Sequence, residues 1–501
     1  MKRRNFLKFA SSMAAAKALP VGLGMSLMAQ RAYAASPNYS AVNIALPPVM
    51  PQIINIFMYG GASELAGNLS NMVDINTNSM NDYSAGNAFG SGILTSTTEG
   101  GQITANNFWA NAGGTHMEEM LAADDMAVYR TIYKQKSPTR SHRESIYMSH
   151  KGTIDIENAP GIGSRLALMM MENASSYAGA IMADGSIMGS LDNLTLPFVS
   201  FEGDSQTFAL DPSNTIPLYL RGLTMDDEFN NPYSRGSLGG SEDSINTLLQ
   251  TRLAQIESSR SKYSSAWNGF DKRDELEGRM TELSELLEGT DANGNLSSAA
   301  SLGVTYPNTN FGRQLESAIT LAIHNPQTLY MAVGTPGLGG WDDHNNGIDR
   351  YPDRMDQLME AVKAGMAHIN ASNGVSTLSG NTRNSTDNIV INVMGDFGRL
   401  VNLNGSGGWD HANNQNLYTF GGADVRPAKE TAAMGTVVGN TERSGTSKTN
   451  NQYTVPATDS ATWEPMSVAS SIYGYFGATN PNVMTASPDN EDGDVRLEDK
   501  L

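Results

Sequence analysis

Cysteine is absent from the 501 residues, which excludes disulfides, thiolate metal ligands and a cysteine nucleophile. No apolar run approaches the roughly 20 residues that a membrane-spanning helix needs, so an integral membrane protein is not expected. Positive charge is also scarce: 33 Lys and Arg stand against 52 Asp and Glu, giving a net charge of −19. A surface so acidic repels nucleic acid and anionic membranes, and no nucleic-acid partner is expected. Histidine is rarer still, at seven residues, which makes each position informative. Glycine, by contrast, is abundant at 50 residues, in a chain long enough for one large domain or two ordinary ones with a sizeable core.

The N-terminus reads as a targeting segment. Lys2-Arg3-Arg4-Asn5-Phe6-Leu7-Lys8 carries the arginine pair of a twin-arginine export signal, an apolar region follows, and Ala32-Tyr33-Ala34 matches a cleavage site. The expectation is a signal peptide over 1–34, passage through the twin-arginine export machinery, and a periplasmic or extracellular mature protein. Loss of the six basic residues in that segment takes the net charge from −19 to −25. That route carries folded proteins, often with a metal or cofactor already inside.

Short, apolar and β-branched runs mark buried strands at Gln52–Met58, Met126–Ile132, Leu196–Phe201, Thr328–Val333 and Asn388–Met394. Helical spacing is read at Phe108–Ala123, after a loop within Ala159–Glu172, at Phe311–Asn325, at Asp353–Ile369 and at Ala461–Tyr475. Ser141 with Glu144 three residues on is a capping box that opens another helix. Residues 241–300 read as a helical insertion, distinct in texture because Leu, Glu, Arg and Ser recur there at helical spacing. Residues 68–101 and 423–460 read as polar loop, and 489–501 as an acidic, frayed tail. Strands alternating with helices predict an α/β domain over 35–488, with a mostly parallel central sheet sandwiched by helices.

In such a sheet, ligands bind beyond the strand C-terminal ends. Four stretches fall there: Ser63/Glu64, Ser141/His142, Asp342/Asp343/His344 and Asp396, with Asp410-His411 in a nearby Gly-rich loop. Three of the seven histidines lie in this set. Carboxylate oxygen with imidazole nitrogen makes a mixed shell that suits zinc or manganese better than calcium or magnesium. Such a metal polarises a phosphoryl or sulfuryl oxygen or activates water. Arg140, Arg143 and Arg399 are candidate braces for an anion. The blander readings make Ser141 a helix cap, His142 a packing residue, Gly60-Gly61 a turn, and each arginine a solvated or salt-bridged side chain.

The ordered set of motifs resembles the bacterial secreted family known as domain of unknown function 1501, within the alkaline phosphatase/sulfatase-like superfamily. The matching residues are the strand and Gly-Gly at 56–61, Arg140-Ser141-His142, Gly340-Trp341-Asp342-Asp343-His344, Asp396-Phe397-Gly398-Arg399, and Asn404 through His411. The family usually shows Gly-Phe-Asp-Thr-His, then Glu-Phe-Gly-Arg, then Gly-Thr-Asp-His-Gly. The resemblance implies an alkaline phosphatase-like fold with a metal site at one sheet edge. It makes Asp342, His344, Asp396 and His411 the leading ligand candidates, with Asp410 next. Two departures stand out. Asp396 replaces a usual Glu, and no Asp follows the first Gly-Gly, leaving Glu64 or Asn68 as substitutes.

Two functions follow as expectations. One is an exported metal-dependent hydrolase of phosphate or sulfate esters, with Ser141, His142 and Arg399 as candidate catalytic residues and an anionic ester as substrate. No motif fixes the nucleophile, and Thr139 or water compete with Ser141 for that role. The other is a non-catalytic periplasmic or surface protein that binds or assembles on the same fold.

Overall fold

The computed structural model describes residues 39–69, 103–210, 215–230, 248, 251–252, 265–289, 296–442 and 455–501. The proposed signal peptide, residues 70–102, most of 231–264 and residues 290–295 lie outside the described residues. Residues Pro37–Leu501 form one compact unit.

The strands used below are β1 (Gln52–Met58), β2 (Met126–Tyr133), β3 (Phe198–Ser200), β4 (Leu223–Thr224), β5 (Tyr330–Val333), β6 (Ile389–Gly395), β7 (Arg399–Leu403), β8 (Trp409–His411), β9 (Asn414–Gly421) and β10 (Val437–Val438). Eight of them form one sheet in the order β10-β2-β9-β6-β1-β5-β3-β4, while β7 and β8 pair as a separate hairpin. Within that sheet β9 runs antiparallel to both neighbours, β2 and β6, and the other pairings are parallel.

The helices used below are α1 (Gly114–Ala122), α2 (His142–Lys151), α3 (Ile162–Glu172), α4 (Ser265–Leu287), α5 (Asn310–His324), α6 (Gly347–Ala371) and α7 (Pro465–Tyr475). Successive side chains of β1 enter opposite cores. Ile54, Ile56 and Met58 pack with Leu315 and Ile319 of α5 and Met355 and Leu358 of α6. Ile53 and Phe57 pack with Leu166 and Met169 of α3 and Val468 and Ile472 of α7. Burial on both faces is why β1 reads as a continuous apolar run and not as an alternating one. The architecture is therefore mixed α/β, a large and mostly parallel sheet between helices. No helix among the described residues is long and apolar enough to cross a membrane.

Three local expectations are corrected. The helix expected from Asp353 begins at Gly347 and runs through Pro352, which forgoes one backbone hydrogen bond inside it. The acidic tail is docked, not frayed: Leu497 is buried, its carbonyl accepts from Trp463 Nε1 at 3.0 Å, and Asp494 pairs with Lys136 at 2.8 Å. Strand β9 comes from a segment that the hydrophobic pattern does not flag, and its antiparallel direction decides where the next loop goes. Its N-terminal end lies at the edge where β1, β5 and β6 end, so the β7–β8 hairpin, immediately before it, stands over that edge.

Candidate metal centre

Each strand end delivers one part of the centre. After β1, Gly60 and Gly61 adopt φ of +119° and +71°, and a Cβ on Gly60 would stand 2.4 Å from the Asp342 nitrogen. Only glycine lets the two loops approach this closely. Trp341 N donates to Tyr59 O at 2.9 Å, which seats the loop after β5 directly on that Gly-Gly turn. Trp341 and Asp343 are buried, Asp343 held by Arg354 at 2.7 Å and Arg350 at 3.2 Å. Between them Asp342 points outward, and its side chain is 49% exposed.

Three imidazoles surround that carboxylate. His142 Nε2 lies 3.4 Å, His344 Nε2 3.2 Å and His411 Nε2 3.6 Å from Asp342 Oδ1. One ligand atom from each of the four residues falls within 4.8 Å of the others. A tetrahedral ion with bonds of about 2.0–2.1 Å needs ligand atoms about 3.3 Å apart, so the three Asp–His spacings fit one. His344 Nε2 and His411 Nε2 are closer, at 2.8 Å.

The opposite side of each ring fixes which nitrogen is free. His142 Nδ1 donates to Asp396 Oδ2 at 2.8 Å. His411 Nδ1 donates to the Arg140 carbonyl at 2.8 Å, an acceptor that carries no proton. His344 Nδ1 faces Asp410 Oδ1 at 3.3 Å. Carboxylates and carbonyls behind Nδ1 leave Nε2 with a lone pair, the arrangement that metal-binding histidines adopt. Two such nitrogens at 2.8 Å are at hydrogen-bond distance, so without an ion one of them carries a proton. His142 Nε2 is buried and has no hydrogen-bond partner, which a metal bond would satisfy.

Burial and neighbouring charge shift the groups of the centre in different directions. Burial, with only partial relief from the Arg140 carbonyl, holds His411 below the usual imidazole pKa, and the Arg399, His142 and His344 charges add to that. The hydrogen bond that His142 donates to Asp396 raises its pKa against the opposing effect of burial. Burial pushes Asp342 up, but the Arg399 hydrogen bond and charge prevail and keep it below the ordinary Asp value. Arg399 is fully buried. It donates to Asp342 Oδ1 at 2.6 Å, to Gly61 O at 2.7 Å and to Trp409 O at 2.8 Å, and also bonds Gly60 O.

Of the sequence candidates, the structure brings together His142, Asp342, His344 and His411. Asp396 stands one bond farther out: it is buried, accepts from Gly60 N at 3.2 Å, and orients His142. Asp410 stands behind His344 in the same way, on the solvent side. Glu64 is not among the four. It lies behind Gly398 with Oε2 accepting from Asn414 Nδ2 at 2.6 Å, and burial raises its pKa well above the usual range. Ser141 Oγ caps α2 by accepting from Glu144 N at 3.5 Å. Arg143 pairs with Glu157 at the surface. The sequence reading missed the Arg140 carbonyl and Phe397, whose ring centroid lies 4.8 Å from that of His142 and 4.3 Å from that of His411. The Phe in Asp396-Phe397-Gly398-Arg399 was the available signal.

The other four histidines serve structure. His324 is buried between the carbonyls of Ser376 and Ser297, His368 meets the Tyr306 hydroxyl at 3.1 Å, His150 meets the Tyr59 hydroxyl at 3.1 Å, and His116 faces Asp356 at 3.6 Å. A family model described as "Protein of unknown function (DUF1501)" matches residues 50–468. No curated protein matches the chain.

Proposed function

The chain belongs to the DUF1501 family, and from that membership and the geometry of the centre we propose an exported, metal-dependent hydrolase of phosphate or sulfate esters. The proposal includes kinship with the alkaline phosphatase/sulfatase-like superfamily. The observation that carries it is the convergence of three Nε2 atoms on Asp342 Oδ1 at 3.2–3.6 Å, each ring backed by an acceptor at Nδ1. His142, His344, His411 and Asp342 would hold the ion. Three nitrogens and one oxygen suit zinc first and manganese next; calcium and magnesium prefer an all-oxygen shell.

A divalent ion there supplies Lewis-acid polarisation of a phosphoryl or sulfuryl oxygen. The rest is assigned to the chain itself. Asp396 and the Arg140 carbonyl hold protons on His142 Nδ1 and His411 Nδ1, so these rings keep Nε2 unprotonated. Arg399 holds Asp342 in place from below and, with its donors engaged by the chain, acts as a positioning residue. The exposed guanidinium of Arg140 is the candidate contact for a substrate anion. Ser141, occupied as a helix cap, is a weaker candidate for nucleophile than water.

A second reading, a non-catalytic binding or assembly protein that keeps the metal, draws support from Glu64. With no Asp after Gly60-Gly61 and Glu64 turned into the interior, the first loop adds no ligand to the four. Hydrolysis of aryl phosphate and aryl sulfate by protein purified after export separates the two. The hydrolase reading expects turnover that chelation abolishes and zinc or manganese restores. Metal-loaded protein inert toward both esters would leave the second reading standing.

A further inference from the structure

Lys134 follows the last residue of β2 and is 1% exposed. Burial pulls its ammonium down to about 7, with Asp396 offsetting part of the cost. A lysine kept in such a place needs strong local partners. It has two: Nζ donates to Thr139 O at 2.7 Å and to Ser145 Oγ at 2.7 Å. Nζ also stands 4.9 Å from the centroid of the Phe397 ring.

Each of these three contacts lies one step from a ligand. Thr139 precedes Arg140, whose carbonyl fixes the His411 tautomer. Ser145 sits one turn along α2 from His142. Phe397 packs its ring against both His142 and His411. The near half of the loop after β2 has a different anchor, the Glu464 carboxylate, which accepts from Gln135 N at 3.0 Å and Lys136 N at 2.9 Å. Lys134 ties back the far half, the part that carries Arg140 and leads into His142.

We propose that Lys134 is a positioning residue of the metal centre, aiming His142 and His411 together through the loop, the helix and the Phe397 ring. The proposal rests on the metal reading given above. A plain space-filling lysine would affect folding alone; a positioning lysine also sets how tightly and with what geometry the ion is held.

The test is Lys134→Met in the full mature chain, which keeps the length of the side chain and removes its donors. Cobalt(II) serves as probe, because its visible absorption reports coordination number. Wild-type protein is expected to take up cobalt with the strong visible bands of a four-coordinate site. Lys134→Met is expected to bind it roughly 10- to 100-fold more weakly, as supporting-residue changes do, with weakened bands. Denaturation in chelator measures the folding cost separately. A variant with a lowered midpoint but wild-type cobalt affinity and spectrum would overturn the proposal. If Lys134→Met does not fold, Ser145→Ala removes one of the two Nζ acceptors and leaves the lysine. A several-fold loss of cobalt affinity is expected there, and unchanged affinity and spectrum would overturn the proposal equally. Wild-type protein that takes up no cobalt would remove the metal reading itself, a different result from either variant outcome.

Discussion

Two arginines withdrawn from solvent stand at opposite ends of the central sheet, and they differ in one acceptor. At the N-terminal edge Arg383 donates to Ala322 O and Ile323 O at 2.9 Å, the last-turn carbonyls of α5, and to Gln52 Oε1 and Asn388 Oδ1 at 2.7 Å. Every acceptor in that fan is neutral. At the C-terminal edge Arg399 has a similar fan of carbonyls, from Gly60, Gly61, Trp341 and Trp409, plus the Asp342 carboxylate. The first cluster uses the two terminal guanidinium nitrogens, with Nε left unpartnered, to close a helix end against two strand starts. The second leaves a surplus: a half-exposed carboxylate and imidazole nitrogens aimed at one another. Neutral acceptors around an arginine at one end build structure, and a carboxylate with facing imidazoles at the other makes a site.

The largest expected effects come from breaking each fan. Arg383→Met removes one donor from each of four buried acceptors and should cost about 3–5 kcal/mol, read from chemical denaturation, while metal uptake per folded molecule stays at the wild-type value. Arg399→Met should cost a comparable amount and lose metal affinity as well. If the two variants change metal uptake alike, the contrast between the two ends is wrong.

Asp396→Asn tests a finer distinction, between a ligand and the group that aims one. Metal affinity should fall roughly 10- to 100-fold with stoichiometry retained at saturation; complete loss of the ion would make Asp396 a ligand. The same variant has a pH signature in chelated protein. Because Asp396 raises the pKa of His142, their pairing stabilises the fold fully below the unfolded imidazole value of about 6.5. That stabilisation is lost as pH rises through the higher folded value. Asp396→Asn should flatten this part of the stability curve, and an unchanged curve would contradict the pairing. The smallest effect is expected for Ser141→Ala: about 1 kcal/mol for a lost helix cap, with metal uptake unaltered. Abolition of ester hydrolysis with stability intact would return Ser141 to the nucleophile role.

Much of the frame was legible from the chain. Strands β1, β2, β5 and β6 are buried on both faces and announce themselves as apolar runs, and their ends locate Asp342, His344 and His142. Strand β9 is equally buried but reads Asn-Gln-Asn at its start, because those amides serve Glu64, the Arg130 carbonyl and Gly395 N. A hydrophobic criterion passes over it. The same limit applies at the centre. Residue type brought Asp396 and Glu64 forward as ligands, but whether a carboxylate meets the ion, the ring behind it, or an interior amide depends on loop crossings between segments hundreds of residues apart. The Arg140 carbonyl carries no side-chain signature, and Lys134 looks like any lysine until its burial is seen.

The most direct test of the central claim is the metal content of the purified protein, with Asp342→Ala beside it. About one equivalent of zinc or manganese is expected in the wild type, raising the denaturation midpoint, and markedly less in the variant. Less than about a tenth of an equivalent of any divalent metal, with a midpoint that chelation does not move, would contradict a metal centre built from His142, Asp342, His344 and His411.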